Sequence, residues 1–213
     1  MNQTTPKTKM TRRDARKEDR REAILTVASQ SFLEHGYAAT SMSAIAAELG
    51  GSKGTLWSYF PSKEELFTAV IDQRTIAFRR QLQEILEPTH CVEQTLRNVC
   101  VSLLEKVTSP EAIALNRIAV GEAGRFPELG EIFYNRGPRM STGVLADYLE
   151  GAMQRGELRK DDPTLAARTL IALCIYVVQQ KLLLSIAAPP DEAAIEAEAD
   201  CTMAIFMRAF APE

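Results

Sequence analysis

Residues that hold metals are scarce in this sequence. Its 213 residues include four cysteines and two histidines, and no two cysteines form a CxxC pair. A structural zinc site needs four convergent ligands of these types, so we expect neither a metal nor another cofactor. We interpret the cysteines as free thiols in a reducing compartment, with a redox-sensing thiol as the alternative.

Long hydrophobic runs are also missing. The most apolar region, residues 170–186, is interrupted by Gln179, Gln180 and Lys181, whereas a membrane span needs about 18 apolar residues in succession. Residues 1–21 are polar and basic, without the apolar segment of a secretory signal. These features predict a cytoplasmic protein without a membrane partner.

The chain as a whole has no excess of positive charge. It carries 25 Lys and Arg against 28 Asp and Glu, a net charge of −3, which by itself argues against nucleic acid as a partner. The distribution is uneven, because residues 1–21 carry eight basic and three acidic side chains. Such a segment is either an arm with its own partner or a solvated, disordered terminus.

Motifs of common enzyme classes are absent from the sequence. It contains no nucleophile elbow, no HExxH and no phosphate-cradling glycine loop. Neither His35 nor His90 stands in a context typical of a catalytic base. We therefore expect a protein that is not an enzyme. A helical enzyme is the least favoured alternative.

What the sequence does contain is helical periodicity. Apolar residues recur at i, i+3, i+4 and i+7, and no sustained alternation of period two appears. The pattern predicts an all-α protein of about nine helices, with a compact three-helix head and a larger helical body. A long helix that starts at the capping box of Ser62 joins the two parts.

Two short helices with a glycine turn between them form the most informative segment, residues 40–60. This is the layout of a helix-turn-helix DNA reader. At about 100° per residue, Leu56, Tyr59 and Phe60 face the core, while the opposite face is small and polar except for Trp57. That face suits a DNA groove. In the alternative interpretation, Trp57 packs on the first helix and the small polar residues are ordinary surface.

The same segment resembles the DNA-binding head of the TetR (tetracycline repressor) family. The resemblance rests on the runs 36–41, 52–56 and 59–66 and covers about residues 20–67. It implies a helix-turn-helix domain over 19–66 and a ligand-binding and dimerisation domain over 67–213, and the charge pattern predicts a flexible basic arm over 1–18. It also implies a homodimeric repressor, released from a palindromic operator by a small molecule. An adaptor that keeps the head only as a scaffold is the alternative.

Family contacts carried over residue by residue imply a set of DNA-binding positions. Trp57 stands where the family usually has a phosphate-binding tyrosine, and Lys63 would touch phosphate from the start of the long helix. The implied residues are Thr40, Ser41, Ser52, Lys53, Gly54, Thr55, Trp57, Ser58 and Lys63.

The body more weakly resembles the AefR-like group, through residues 116–117 and 121–129. We expect a largely apolar effector in a cavity among the middle helices, where each candidate could equally be plain core. Arg117 is the sharpest candidate, because a basic group on an apolar helix must be paired, solvated or used. The candidates are Leu103, Arg117, Phe126, Phe133, Met140, Val144, Tyr148, Cys174 and Tyr176.

The last two helices each carry an apolar stripe that needs a cover. Two such helices at the end of the chain predict a four-helix dimer interface, unless both pack on their own subunit. The predicted interface residues are Leu170, Leu173, Val177, Leu184, Ile195, Ala199, Met203 and Phe206.

Overall fold

The structure, a computed structural model, describes residues 12–50, 53–87 and 91–212. Over these residues the regular secondary structure is entirely helical, which confirms the predicted all-α class. There are ten helices: α1 Arg12–Ala39, α2 Met42–Glu48, α3 Lys53–Tyr59, α4 Lys63–Ile85, α5 Val92–Thr108, α6 Pro110–Glu122, α7 Pro127–Arg136, α8 Pro138–Gln154, α9 Pro163–Leu183 and α10 Glu192–Phe210. This is one more than the nine or so expected.

Side-chain caps begin three of the later helices. Ser109, Asp162 and Asp191 precede α6, α9 and α10, and each side chain accepts a hydrogen bond from a backbone N–H of the first turn. By contrast, Phe126 precedes α7 without a side-chain cap. The start of α7 is therefore marked in the sequence only by Pro127, which explains the helix beyond the predicted number.

The first helix begins earlier than predicted. Residues 12–18, expected to belong to a flexible arm, form the first turns of α1; residues 1–11 of that arm lie outside the described residues. Near its other end, Gly36 has a φ of 79° and breaks the helical geometry. Only glycine adopts this conformation without strain, so the chain turns here and places Tyr37 in the core.

The chain divides into two compact units, Met1–Val70 and Ile71–Glu213, with the boundary inside α4. In the first unit, α1 buries Ile24, Leu25, Ala28 and Phe32. An aromatic cluster closes this core, because the Phe32 ring lies 5.2 Å from that of Phe67 and 5.7 Å from that of Tyr37. Such edge and offset contacts hold the end of α1 against the start of α4.

The second unit has its own core, built around α5. Leu96 and Leu104 of α5 are fully buried, and Ala166 and Ala199 let α9 and α10 approach closely because they have small side chains. This core corrects part of the predicted dimer interface. The side chains that it encloses within the subunit are Leu170, Ile195, Ala199, Met203 and Phe206.

Helix α9 keeps several apolar side chains exposed to solvent. Among the predicted interface residues, Val177 and Leu184 are 53% and 66% exposed, and Leu173 is half-buried. Tyr176 and Leu165 of the same helix are exposed as well. Within the described residues, α9 is also the one helix long and apolar enough to cross a membrane by length and composition, a test that a core helix of a soluble protein passes as well.

Candidate nucleic-acid interface and ligand cavity

Helices α2 and α3 form the candidate nucleic-acid interface of the first unit. Leu56 and Phe60 are buried, as the helical periodicity predicts, and Tyr59 is half-buried. Ile45 and Ala46 of α2 are buried too, and the small Ala46 allows α3 to cross closely. The inner face of α3 is thus fixed by packing, which determines which face points to solvent.

The outward face of α3 is polar and accessible. Lys53, Gly54 and Ser58 are exposed, Thr55 is half-buried, and Trp57 is 37% exposed. The Ser58 hydroxyl donates to the Thr55 carbonyl over 2.7 Å, which holds it close to the helix. A face of short polar groups around a glycine permits close approach to base edges and phosphates. Ser52 lies outside the described residues.

Ser41 and Thr40 have different roles at the start of α2. Ser41 is exposed and caps the helix, its Oγ accepting from the Ala44 N–H over 3.1 Å. Thr40 is only 3% exposed, and its hydroxyl donates to the Ser31 and Gly36 carbonyls. The predicted phosphate contact of the Thr40 side chain is corrected here, because this hydroxyl is buried and bonded to backbone carbonyls near the end of α1.

Lys63 likewise points inward. Its Nζ donates to the carbonyls of Tyr37 and Thr40 over 2.8 and 3.0 Å and lies 4.2 Å from the centre of the Tyr37 ring. A cation at these carbonyls offsets the partial negative charge at the end of α1. Lys63 therefore ties α4 to α1, a structural role that the family resemblance did not imply. Its contact with phosphate stays a prediction.

A basic groove beside α3 was not predicted as part of the site. It is lined by Arg13, Asp14, Arg16, Lys17, Arg20 and Tyr59. The four cations recur on α1 at i, i+3, i+4 and i+7, so they share one face. The charge count of residues 1–21 indicated this segment, but only its helical form brings these cations together next to α3.

A side chain of α1 holds the end of α2. Arg20 donates to the Leu49 carbonyl at the end of α2 over 3.4 Å. Gly50 follows with a φ of 62°, and nothing lies within 4 Å of the position a Cβ would occupy. Glycine is needed here for its backbone conformation rather than for space.

The second unit contains a cavity of about 210 Å³. It is bounded by α4 to α9, and its walls combine apolar and charged side chains. The lining residues are Ile71, Arg74, Thr75, Phe78, Arg79, Leu103, Lys106, Val107, Glu111, Ala112, Leu115, Asn116, Phe133, Arg136, Gly137, Pro138, Ser141, Ile171, Ile175 and Gln179. Of the predicted ligand residues, this cavity brings together Leu103 and Phe133.

Arg117 has another role. Its guanidinium donates to the carbonyls of Leu182 and Leu183 and to the Ser185 hydroxyl, over 2.6, 3.2 and 2.7 Å. Ser185 has a φ of 58°, a left-handed conformation at the end of α9 that usually takes glycine. Arg117 therefore fastens the C-terminus of α9, and its predicted role as a ligand contact is wrong for this cavity.

The other predicted ligand residues lie away from the cavity lining. Cys174 is buried in the core, where its hydrogen bond with Cys100 and its burial raise the pKa of its thiol. Tyr176 and Met140 are 65% and 38% exposed. The residues of this group are Phe126, Met140, Val144, Tyr148, Cys174 and Tyr176.

Charged groups of the cavity are unequally paired. The Asp72 carboxylate lies 3.5 Å from Arg79 and 3.4 Å from Arg136. Lys106 has no carboxylate within ion-pair distance among the described residues, and its Nζ donates to the Arg74 carbonyl over 2.9 Å. Burial, then the charge of Arg74, lowers the pKa of Lys106, while Glu111 partly opposes them.

Comparisons with known proteins agree with this geometry. The family described as bacterial regulatory proteins of the tetR family matches residues 24–70. The C-terminal domain of AefR-like transcriptional repressors matches residues 94–212, which is more than half of the chain. The matched ranges contain the helix-turn-helix and most of the second unit.

Individual proteins similar to this chain are also transcriptional regulators. The transcriptional regulator UidR of Escherichia coli K12 is 30% identical over 158 residues, covering 74% of this chain and 79% of UidR. The flavonoid-responsive regulator FrrA is 34% identical, with a TM-score of 0.78 over 92% of this chain and 99% of FrrA. A TetR-family structure from Mesorhizobium loti, at 24% identity and a TM-score of 0.82 over 95% of this chain and 100% of its own, shares the fold. The chain is thus a DNA-binding transcriptional regulator, not an enzyme, and belongs to the TetR family.

Proposed function

We propose that this protein is a repressor that binds a palindromic operator through α3. The main support is the outward face of α3, where Lys53, Gly54 and Ser58 are exposed. Leu56 and Phe60 on the opposite face are buried and anchor the helix. Short side chains around Gly54 let the backbone approach base edges in the major groove. Ser41, Thr55 and Trp57 supply further contacts at the edges of this face, and Ser52 is included from the family pattern.

The basic groove extends this interface in the proposal. Arg13, Arg16 and Lys17 share one face of α1 beside Tyr59. Cations of this kind neutralise phosphates and position the protein without reading sequence. We assign the groove to DNA backbone that flanks the bases contacted by α3, which puts the protein at the chromosome and therefore in the cytoplasm.

The operator can be identified by selection from random DNA with the full chain, followed by footprinting. Replacing Lys53→Ala and Thr55→Ala together should lower affinity for the selected operator by at least about tenfold, because contacts to bases carry the discrimination. The exposed Lys160→Ala serves as the charge control outside the first unit. Affinity that is indifferent to sequence, or to the double substitution, would contradict the proposal.

A homodimer would present two copies of α3 to the operator. The dimer is supported by the exposed apolar residues of α9, Val177, Leu184 and Tyr176, and by a row of small exposed residues on α10. That row consists of Ala194, Ala197, Cys201 and Ala204, at spacings of three and four. Arg168 and Lys181, both exposed on α9, favour a protein partner over lipid. Two such helices per subunit fit a four-helix interface.

A small molecule in the cavity would control DNA binding through α4. This helix lines the cavity with Arg74 and Phe78, and at its first turn Lys63 holds the carbonyls of Tyr37 and Thr40. A ligand that fits only one position of α4 would shift the population toward that position, by as much as its affinities for the two states differ. The similarity to FrrA, named as flavonoid-responsive, supports a response to small molecules.

A further inference from the structure

The charges of the cavity are far from balanced. Its lining includes four cationic side chains, Arg74, Arg79, Lys106 and Arg136, against the single carboxylate of Glu111. Asp72 adds a second carboxylate, at ion-pair distance from Arg79 and Arg136. Even with both carboxylates counted, the cations exceed the anions by two. A surplus of positive charge in a concave, partly buried site attracts an anion more strongly than the same charge on a flat surface does.

Lys106 has one hydrogen bond and no ion pair among the described residues. Its ammonium has three N–H donors, and the described residues provide it with one hydrogen bond, to the Arg74 carbonyl. A carboxylate placed beside Lys106 would supply the missing acceptor and oppose the charge of Arg74. Burial of the ammonium makes such a partner more favourable than it would be in water.

Arg79 provides a second unsatisfied donor. Its Nε is buried without a hydrogen-bond partner, although its Nη2 lies 3.5 Å from Asp72 and 3.4 Å from the Thr75 hydroxyl. Buried polar groups are normally paired. Because Arg79 also lines the cavity, an anion bound there would add compensation for a guanidinium that the protein satisfies only in part.

The remaining wall is apolar and limits the size of a ligand. Phe78, Leu103, Ile171 and Ile175 line the cavity together. A cavity of about 150 Å³ accommodates benzene, so the 210 Å³ found here accommodates a somewhat larger body, such as one or two fused rings or a medium-length chain. Combined with the cations, these walls fit a molecule with an apolar body and an acidic group.

We propose that the effector is an amphipathic anion whose carboxylate binds Lys106, with Arg74 and Arg79 nearby, and whose apolar body packs on Phe78, Leu103, Ile171 and Ile175. This inference rests on the proposed function, because it assigns a chemical class to the effector of that regulator. It departs from the largely apolar ligand expected from sequence, since that expectation took no account of the charges contributed by α4 and α5.

The test uses two probes of nearly the same shape, 2-naphthoate and the neutral 2-naphthamide, with the full chain in the absence of DNA. Titration calorimetry should show naphthoate binding about tenfold more tightly than naphthamide, the size expected of a charge-assisted hydrogen bond. Equal affinities, tighter binding of naphthamide, or no binding of either probe at millimolar concentration would overturn the proposal.

Matched variants locate the anion. Lys106→Met keeps the length and packing of the side chain but removes its charge, so the preference for naphthoate should fall to about twofold or less, whereas Lys106→Arg should retain it. Lys160→Met, on the surface, should behave as wild type. A preference for naphthoate that survives Lys106→Met would overturn the assignment to Lys106. If that variant does not fold, the titrations of the wild-type protein still show whether the cavity prefers an anion.

Because these titrations contain no DNA, they are independent of operator binding. Failure of the probes alongside intact operator binding would remove the anionic effector and leave the regulator. The reverse result, selective binding of naphthoate without any specific operator, would retain the anion cavity and remove the proposed function.

Discussion

At the scale of single residues, Lys53 and Lys63 should behave differently although both lie near the helix-turn-helix. Lys63→Met leaves the Tyr37 and Thr40 carbonyls without their donor, which should destabilise the protein by about 1–2 kcal/mol. Lys53→Ala removes an exposed side chain and should leave the melting temperature unchanged while weakening operator binding. Thermal unfolding and mobility-shift titration distinguish them. A Lys63→Met protein as stable as wild type would show that this lysine does not hold the fold.

Lys106 should give anion binding an unusual pH dependence. Burial and Arg74 lower its pKa from the ordinary value of 10.5; below that lowered pKa the ammonium is present, and above it the charge disappears. The other charged groups that line the cavity are Arg74, Arg79, Arg136 and Glu111. Affinity for 2-naphthoate should therefore fall as pH rises through the lowered pKa, before an exposed lysine would titrate.

The measurement is titration calorimetry from pH 7 upward, in buffers of different ionisation enthalpy. A bound carboxylate favours the ammonium, so binding near the lowered pKa should take up protons. Lys106→Arg should give a flat profile, because arginine stays protonated over this range. A wild-type profile as flat as that of Lys106→Arg would mean that Lys106 does not hold the anion.

The sequence predicts the burial of a side chain well when local periodicity determines it. It predicts the role of a side chain poorly when the partner is a distant backbone group. Leu56 and Phe60 follow from the 3.6-residue repeat alone. Lys63 donates to carbonyls 26 and 23 residues away, and Arg117 to one 65 residues away. No local pattern reports such contacts, so a family resemblance or an unpaired charge was the only guide to these side chains.

At the scale of the helices, the basic face of α1 should control the salt dependence of DNA binding. Replacing Arg13→Gln, Arg16→Gln and Lys17→Gln together removes six cations from the proposed dimer. It should reduce the slope of log affinity against log salt by up to about five, because each phosphate that is no longer neutralised lowers the slope by about 0.9. Arg20 is left in place because it holds the Leu49 carbonyl. The decrease in affinity should be similar for operator and random DNA, since phosphate contacts carry no sequence information.

A matched control separates the groove from total charge. Arg80→Gln, Arg139→Gln and Lys160→Gln remove the same charge from exposed positions of the second unit and should leave the slope near that of wild type. Mobility-shift titrations over a range of salt concentrations measure both variants. If the two triple variants reduced the slope equally, the groove would have no special place in DNA binding.

The end helices show how far the amphipathic pattern alone can be taken. It predicts that α9 and α10 each have an apolar stripe, but a stripe does not show whether its cover is the same subunit or another one. In the structure Met203 and Phe206 are buried within the subunit, whereas Val177 and Leu184 remain exposed. Helix α9 has apolar residues on both its buried and its exposed side. The sequence pattern alone therefore could not distinguish the two sides, and the structure was needed.

At the scale of the whole molecule, the proposed dimer depends on the small exposed residues of α10. Ala197→Glu together with Ala204→Glu would place carboxylates of both subunits in one apolar interface, where unpaired buried charge is strongly unfavourable. Both alanines are exposed in the isolated subunit, so the substitutions should not disturb its core. Sedimentation equilibrium should give twice 23.6 kDa for wild type and 23.6 kDa for the double variant.

Dissociation should also weaken operator binding, because each half-site of a palindrome is held with the help of the other. Two linked recognition helices, about 34–36 Å apart, gain affinity through the effective concentration that the dimer imposes on the second one. Ala77→Glu, at an exposed position of α4, is the control and should change neither mass nor affinity. A double variant that stays dimeric would place the interface elsewhere, whereas a monomeric one with wild-type operator affinity would show that DNA recognition does not need the dimer.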